Sequence, residues 1–152
     1  MDYMLLAIEQ AKIAAKKGEV PIGCVIVRNQ KIVSKGRNMR EKKQNALAHA
    51  EVVAIEKACK KLGSWRLDDC ELYVTCEPCP MCAGAILNSR IQKVVYGCTE
   101  TKSGACGGKI DILGQNLLNH KTIVQQSPLS DECGKLIKDF FTEKRTSPRK
   151  RK

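Results

Sequence analysis

A chain of 152 residues suits one compact domain with a single hydrophobic core. Its 27 Lys and Arg against 16 Asp and Glu give a formal charge of +11, which favours a polyanionic partner such as nucleic acid. Nine cysteines, an odd count behind an N-terminus that reads as an amphipathic helix and not as a secretory signal, argue against a disulfide scaffold and for a reducing, cytoplasmic setting; no apolar run approaches the roughly 18 residues that span a membrane.

Met4, Leu5, Ile8, Ala11 and Ala15 recur at helical spacing and Gly18 follows as a stop, which predicts a first helix. Residues 23–27 and 31–35 are short β-branched runs around Arg28-Asn29-Gln30, the pattern of two antiparallel strands and a tight turn. After a polar loop ending near Gln44, a second helix begins at or just before His49 and stops at Gly63. A strand over 71–75, a helix over 80–88 and a strand over 93–97 follow. Such alternation indicates an α/β domain with part of its sheet parallel. Ser103 to Gly108 is too glycine-rich for a regular element, and a weak helix through Ile112 and Leu113 follows it. A last strand over 120–124 and a helix over 131–144 complete the domain, predicted to span 1–145; residues 146–152 form a basic, disordered tail.

The residues that carry chemistry are His49-Ala50-Glu51 and Pro78-Cys79-Pro80-Met81-Cys82. One His nitrogen and two Cys sulfurs suit zinc, and three protein ligands with an open fourth position is the arrangement of catalytic zinc. Cys79 and Cys82, three apart, share a helix face, and Pro80 fits a first helical turn. His49 and Glu51, two apart, diverge by about 200° in mid-helix, so both must stand at the start of their helix with the metal off its end. Glu51 is then left to move protons for a nucleophile that zinc makes available at neutral pH. Cys76 offers a third sulfur that could compete with His49 or close the coordination sphere.

H-A-E followed by P-C-x-x-C resembles the cytidine deaminase-like superfamily, which implies a three-layer α/β/α fold around a mixed sheet of about five strands. Within it the chain is most similar to the bacterial tRNA adenosine deaminases, through residues 19–23 (EVPIG), 36–38 (GRN), 48–51 (AHAE), 75–85 (TCEPCPMCAGA), 102–105 (KSGA) and 139–141 (DFF). The resemblance implies deamination of adenosine to inosine at the wobble position of an arginine tRNA, by a homodimer with one Zn2+ per subunit that binds the anticodon stem-loop. It further implies that Asn38 hydrogen-bonds the flipped base, that the Ala50 backbone reads the purine edge and that Glu100 lies near the anticodon-loop backbone. The chain departs from the pattern at Asn45-Ala46-Leu47, where Asp-Pro-Thr is usual, and at Cys76, where leucine is common.

Two other readings fit the metal motif. One is a structural zinc module in a basic RNA-binding protein that does no chemistry, closed by Cys76, which leaves Glu51 unexplained. The other is a deaminase of a free base or nucleotide (guanine, cytosine or cytidylate), for which a cationic surface has no use. Phe140 and Phe141 point about 100° apart, one to the core and the other free to stack on a base; Phe141 is the candidate for stacking. His120 reads as structural or surface, and Cys24, Cys59, Cys70, Cys98, Cys106 and Cys133 as small buried hydrophobes.

Overall fold

The computed structural model describes residues 2–114 and 120–146. Helix α1 (Tyr3–Lys16) starts where the Asp2 carboxylate accepts a bond from the Met4 N–H at 3.0 Å. It buries Met4, Ala7, Ile8, Ala11 and Ala14, while Leu5 faces solvent. Strands β1 (Gly23–Arg28) and β2 (Lys31–Arg37) form a hairpin whose two turn residues, Asn29 and Gln30, have φ of 51° and 62°. Two positive φ values are what a two-residue hairpin turn requires to match the twist of its strands. A four-residue helix, α2 (Arg40–Lys43), then stands where the sequence reads as a polar loop.

Helix α3 (Ala50–Leu62) ends on Gly63 at φ 65°. Strand β3 (Cys70–Cys76), helix α4 (Pro80–Asn88), strand β4 (Lys93–Cys98), strand β5 (Ile123–Gln126) and helix α5 (Ser130–Thr146) complete the described order. The sheet runs β2-β1-β3-β4-β5, antiparallel across the first three strands and parallel across the last three.

Alternation along the strands sends side chains into two cores. Cys24, Ile26, Leu72, Val74 and Val94 pack with Ala50, Ala54, Ile86 and Leu87 of α3 and α4. Val25, Val27 and Val95 pack with Met4, Ala7, Ile8 and Cys133 of α1 and α5. The fold is therefore a mixed five-stranded sheet between two helical layers, as expected. Each fully buried Ile or Leu in it contributes about 1.5–3 kcal/mol.

Three local expectations need correction. No helix forms at Ile112 and Leu113: the Cys106–Asp111 bridge precedes them, and Leu113, 1% exposed, serves as an irregular plug in the α3–α4 core. Strand β5 starts at Ile123 and not at 120, because His120 Nε2 and Thr122 Oγ1 both donate to the Ile91 carbonyl, at 2.7 and 3.0 Å, before the ladder begins. Cys59, Cys98 and Cys106 are half-buried instead of buried. Thr146, read from the sequence as the first tail residue, ends α5, and the rest of the tail reading, 147–152, lies outside the described residues.

Candidate active site

The parallel strand β3 delivers the chain at its C-terminal edge into Glu77-Pro78-Cys79, and α4 starts immediately after. Pro80 opens that helix, where a missing N–H costs nothing, and Cys79 is its N-cap. Because β1 is antiparallel to β3, the entry to β1 lies at the same edge, where the Gly23 N–H donates to Thr75 Oγ1 at 3.1 Å. His49 is the N-cap of α3, in extended conformation (φ −74°, ψ 155°), and Glu51 lies in that helix's first turn. Two helix N-termini thus face one space, and their dipoles favour thiolates there.

His49 Nδ1 stands 3.6 Å from Cys79 Sγ and 3.6 Å from Cys82 Sγ. All three ligand atoms lie within 4.8 Å of one another. A tetrahedral zinc with Zn–N near 2.05 Å and Zn–S near 2.3 Å would separate N from S by about 3.6 Å. The residues therefore fit a zinc ion, and the cluster could hold one metal.

Glu51 is 4% exposed and is not one of the three. Burial, foremost, and the charge of Cys79 push its carboxyl up to about 7, against the pull of His49 and of a hydrogen bond from Cys82. A group near neutrality is suited to taking and returning a proton. Hydrogen bonds from Cys82 and His49 hold the Cys79 thiol down to about 4 against its burial, whereas the bond to Cys79 and burial hold Cys82 high.

Cys76 does not join the metal cluster. It is 5% exposed and lies opposite Cys98 on β4, whose thiol hydrogen bond, with burial, raises its pKa strongly. The closed four-ligand site therefore loses its fourth ligand.

The other candidates are placed unequally. Asn38 is buried just after β2; its Oδ1 accepts from the Arg40 N–H at 3.2 Å and its Nδ2 donates to the Val20 carbonyl at 3.4 Å. Ala50 is the first residue of α3 and fully buried. Glu100 is half-buried, with Oε1 accepting from the Lys102 N–H at 2.9 Å. Phe140 is the core ring and Phe141, 43% exposed, packs edge-on against it at 5.4 Å. Phe141 belongs to α5, in the helical layer across the sheet from α3 and α4, and shares no ring contact or hydrogen bond with the cluster among the described residues.

Two buried carboxylates were missed by reading the sequence. Glu77 Oε1 accepts from the Glu100 N–H at 3.0 Å, and Oε2 accepts from Cys106 and Gly108 N–H, each at 2.7 Å. Together with the bond from the Ala105 N–H to the Pro78 carbonyl (2.8 Å), this fastens the 100–108 loop to the segment that carries Cys79. The signal was present in Gly104 and Gly108, where any Cβ would collide with the Glu77 carboxylate. Glu19, 3% exposed, is the other.

A family model of the MafB19-like deaminases matches residues 1–145. The chain belongs to this family. It is 48% identical over 143 residues to the tRNA-specific adenosine deaminase of Bacillus subtilis, covering 94% of this chain and 89% of the relative. A structure from a study of A-to-I editing by tRNA:A34 deaminases at the wobble position superposes with a TM-score of 0.84 at 35% identity, covering 88% of this chain and 96% of that one. A guanine deaminase of Bacillus subtilis superposes with a TM-score of 0.64 at 32% identity, covering 100% and 99%. This deaminase has no described helix long and apolar enough to cross a membrane.

Proposed function

We propose that this deaminase converts adenosine to inosine by hydrolysis at the wobble position of tRNA, an arginine tRNA in particular. The observation that carries the chemistry is the meeting of His49, Cys79 and Cys82 at two helix starts with a buried carboxylate, Glu51, beside them. The tRNA substrate is supported by the likeness to the tRNA-specific relatives and by the charge of +11.

His49, Cys79 and Cys82 would hold zinc, which when bound supplies a nucleophile from water at neutral pH. Glu51 takes one proton from the attacking water and delivers it to the purine ring nitrogen, where it stays, and then carries the second proton, from the added hydroxyl, to the departing amine, so that the C–N bond breaks, ammonia leaves and inosine remains. Its burial keeps the proton within the site. Asn38 hydrogen-bonds the flipped base, the Ala50 backbone reads the purine edge, Glu100 lies near the backbone of the anticodon loop, and Phe141 offers an exposed ring for stacking. We assign residues 1–145 to one catalytic domain, acting in the cytoplasm as a homodimer with one zinc per subunit.

Inosine mapping of tRNA treated with wild type and with Glu51→Ala tests the reading. Wobble inosine should form with wild type and vanish with the variant while zinc stays bound. Turnover of free guanine, as the likeness to a guanine deaminase would allow, with none on an anticodon stem-loop, would replace tRNA by a free base as substrate.

A further inference from the structure

We infer that α2 is a phosphate-binding rim of this active site and that Glu19 is the buried residue that holds it there; the inference rests on the tRNA reading above. Helix α2 has the sequence Arg40-Glu41-Lys42-Lys43, every residue of it exposed, so three cations and one anion stand on one four-residue turn. A helix this short and polar has no apolar face to bury and no intrinsic stability. It exists because the Glu19 carboxylate, 22 and 23 residues away in the chain, accepts from the Glu41 N–H at 3.0 Å and the Lys42 N–H at 2.8 Å. Such charge-assisted bonds to a buried carboxylate are among the stronger ones.

The anchored turn is tied to the catalytic edge from both sides. The Asn38 side chain accepts from the Arg40 N–H, and the Met39 N–H donates to the Ala48 carbonyl at 2.9 Å, one residue before His49. A rigid cationic turn beside the entrance, with its side chains in water, fits the phosphates that flank a nucleotide bound in the site. Arg40, Lys42 and Lys43 are all exposed and so have no packing role.

The test compares two charge-matched pairs on an adenosine-containing anticodon stem-loop, measured from about 50 to 200 mM salt. Lys42→Gln/Lys43→Gln removes two cations from the rim. Lys60→Gln/Lys61→Gln removes two exposed cations from the far end of α3, about 15 Å along its axis from Ala50. Each lost phosphate contact lowers the slope of log affinity against log salt by about 0.7–0.9. The rim pair should lose about 1.5 of that slope and raise KM roughly tenfold with kcat within about twofold, while the control pair leaves both unchanged. Equal behaviour of the two pairs overturns the rim. Glu19→Gln keeps the surface cations and adds net positive charge, so charge alone would tighten RNA; a rise in KM supports the anchoring role and an unchanged KM overturns it. A wild type inactive on the stem-loop would instead sink the tRNA reading itself.

Discussion

His49 Nδ1 and Cys79 Sγ face each other at 3.6 Å although one caps α3 and the other caps α4. Only the space beyond both helix ends brings them together, so a metal there ties two helices that otherwise pack through small side chains such as Ala50 and Ala83. Zinc removal by a chelator should abolish deamination and lower the melting temperature, since a ligand bound only by the folded state stabilises it. His49→Ala and Cys82→Ala should each take zinc content from about one ion per chain to below about 0.1 by elemental analysis. A His49→Ala protein that keeps its zinc would remove the imidazole from the ligand set.

Cys76→Ser should keep zinc and at least half of wild-type activity. The thiol is spent on Cys98 and not on the metal cluster, so its loss costs packing only, about 1 kcal/mol in a thermal melt. Zinc loss in this variant would restore the closed structural site as the better description.

How much of this could be read in advance depended on whether the cause was local. The β1–β2 hairpin, the α3 stop at Gly63 and the start of α4 at Pro80 follow from turn, cap and proline chemistry within a few residues. The conflict between His49 and Glu51, two apart yet aimed at one site, was itself informative: it demanded that both stand at the helix start, where the structure puts them. Helix α2 was illegible because its cause, Glu19, lies 22 residues upstream. The start of β5 was misread because His120 and Thr122 bond the Ile91 carbonyl through side chains, which periodicity does not register. Leu113 read as helical because apolar neighbours suggest a face; it is a plug in an irregular loop.

Glu77→Gln should destabilise the protein by about 2–3 kcal/mol, a fall of roughly 6–10 °C for a chain of this size. Glu77 uses both oxygens to satisfy three backbone N–H groups, and an amide would turn a donor toward at least one of them. Amide exchange of Glu100, Cys106 and Gly108 should accelerate while that of β3 and α3 stays slow. Uniform acceleration across the fold would show that Glu77 serves global stability and not the loop.

Gly36→Ala tests whether the catalytic helix is placed by backbone contact. A Cβ at this position would overlap the Ala50 carbonyl and lie 2.7 Å from the Ala54 N–H, both of them backbone atoms of α3 that cannot rotate away. Accommodating the methyl means pushing the first turn of α3, and with it His49 and Glu51, off the sheet. Over-packing of this kind costs about 1–3 kcal/mol or more. The displacement should also reach the chemistry: kcat should fall by at least about tenfold and zinc affinity should weaken, because Cys79 and Cys82 ride on α4 and do not follow α3. Stability lost with kcat and zinc intact would mean that the two helices move together and that Gly36 serves packing alone.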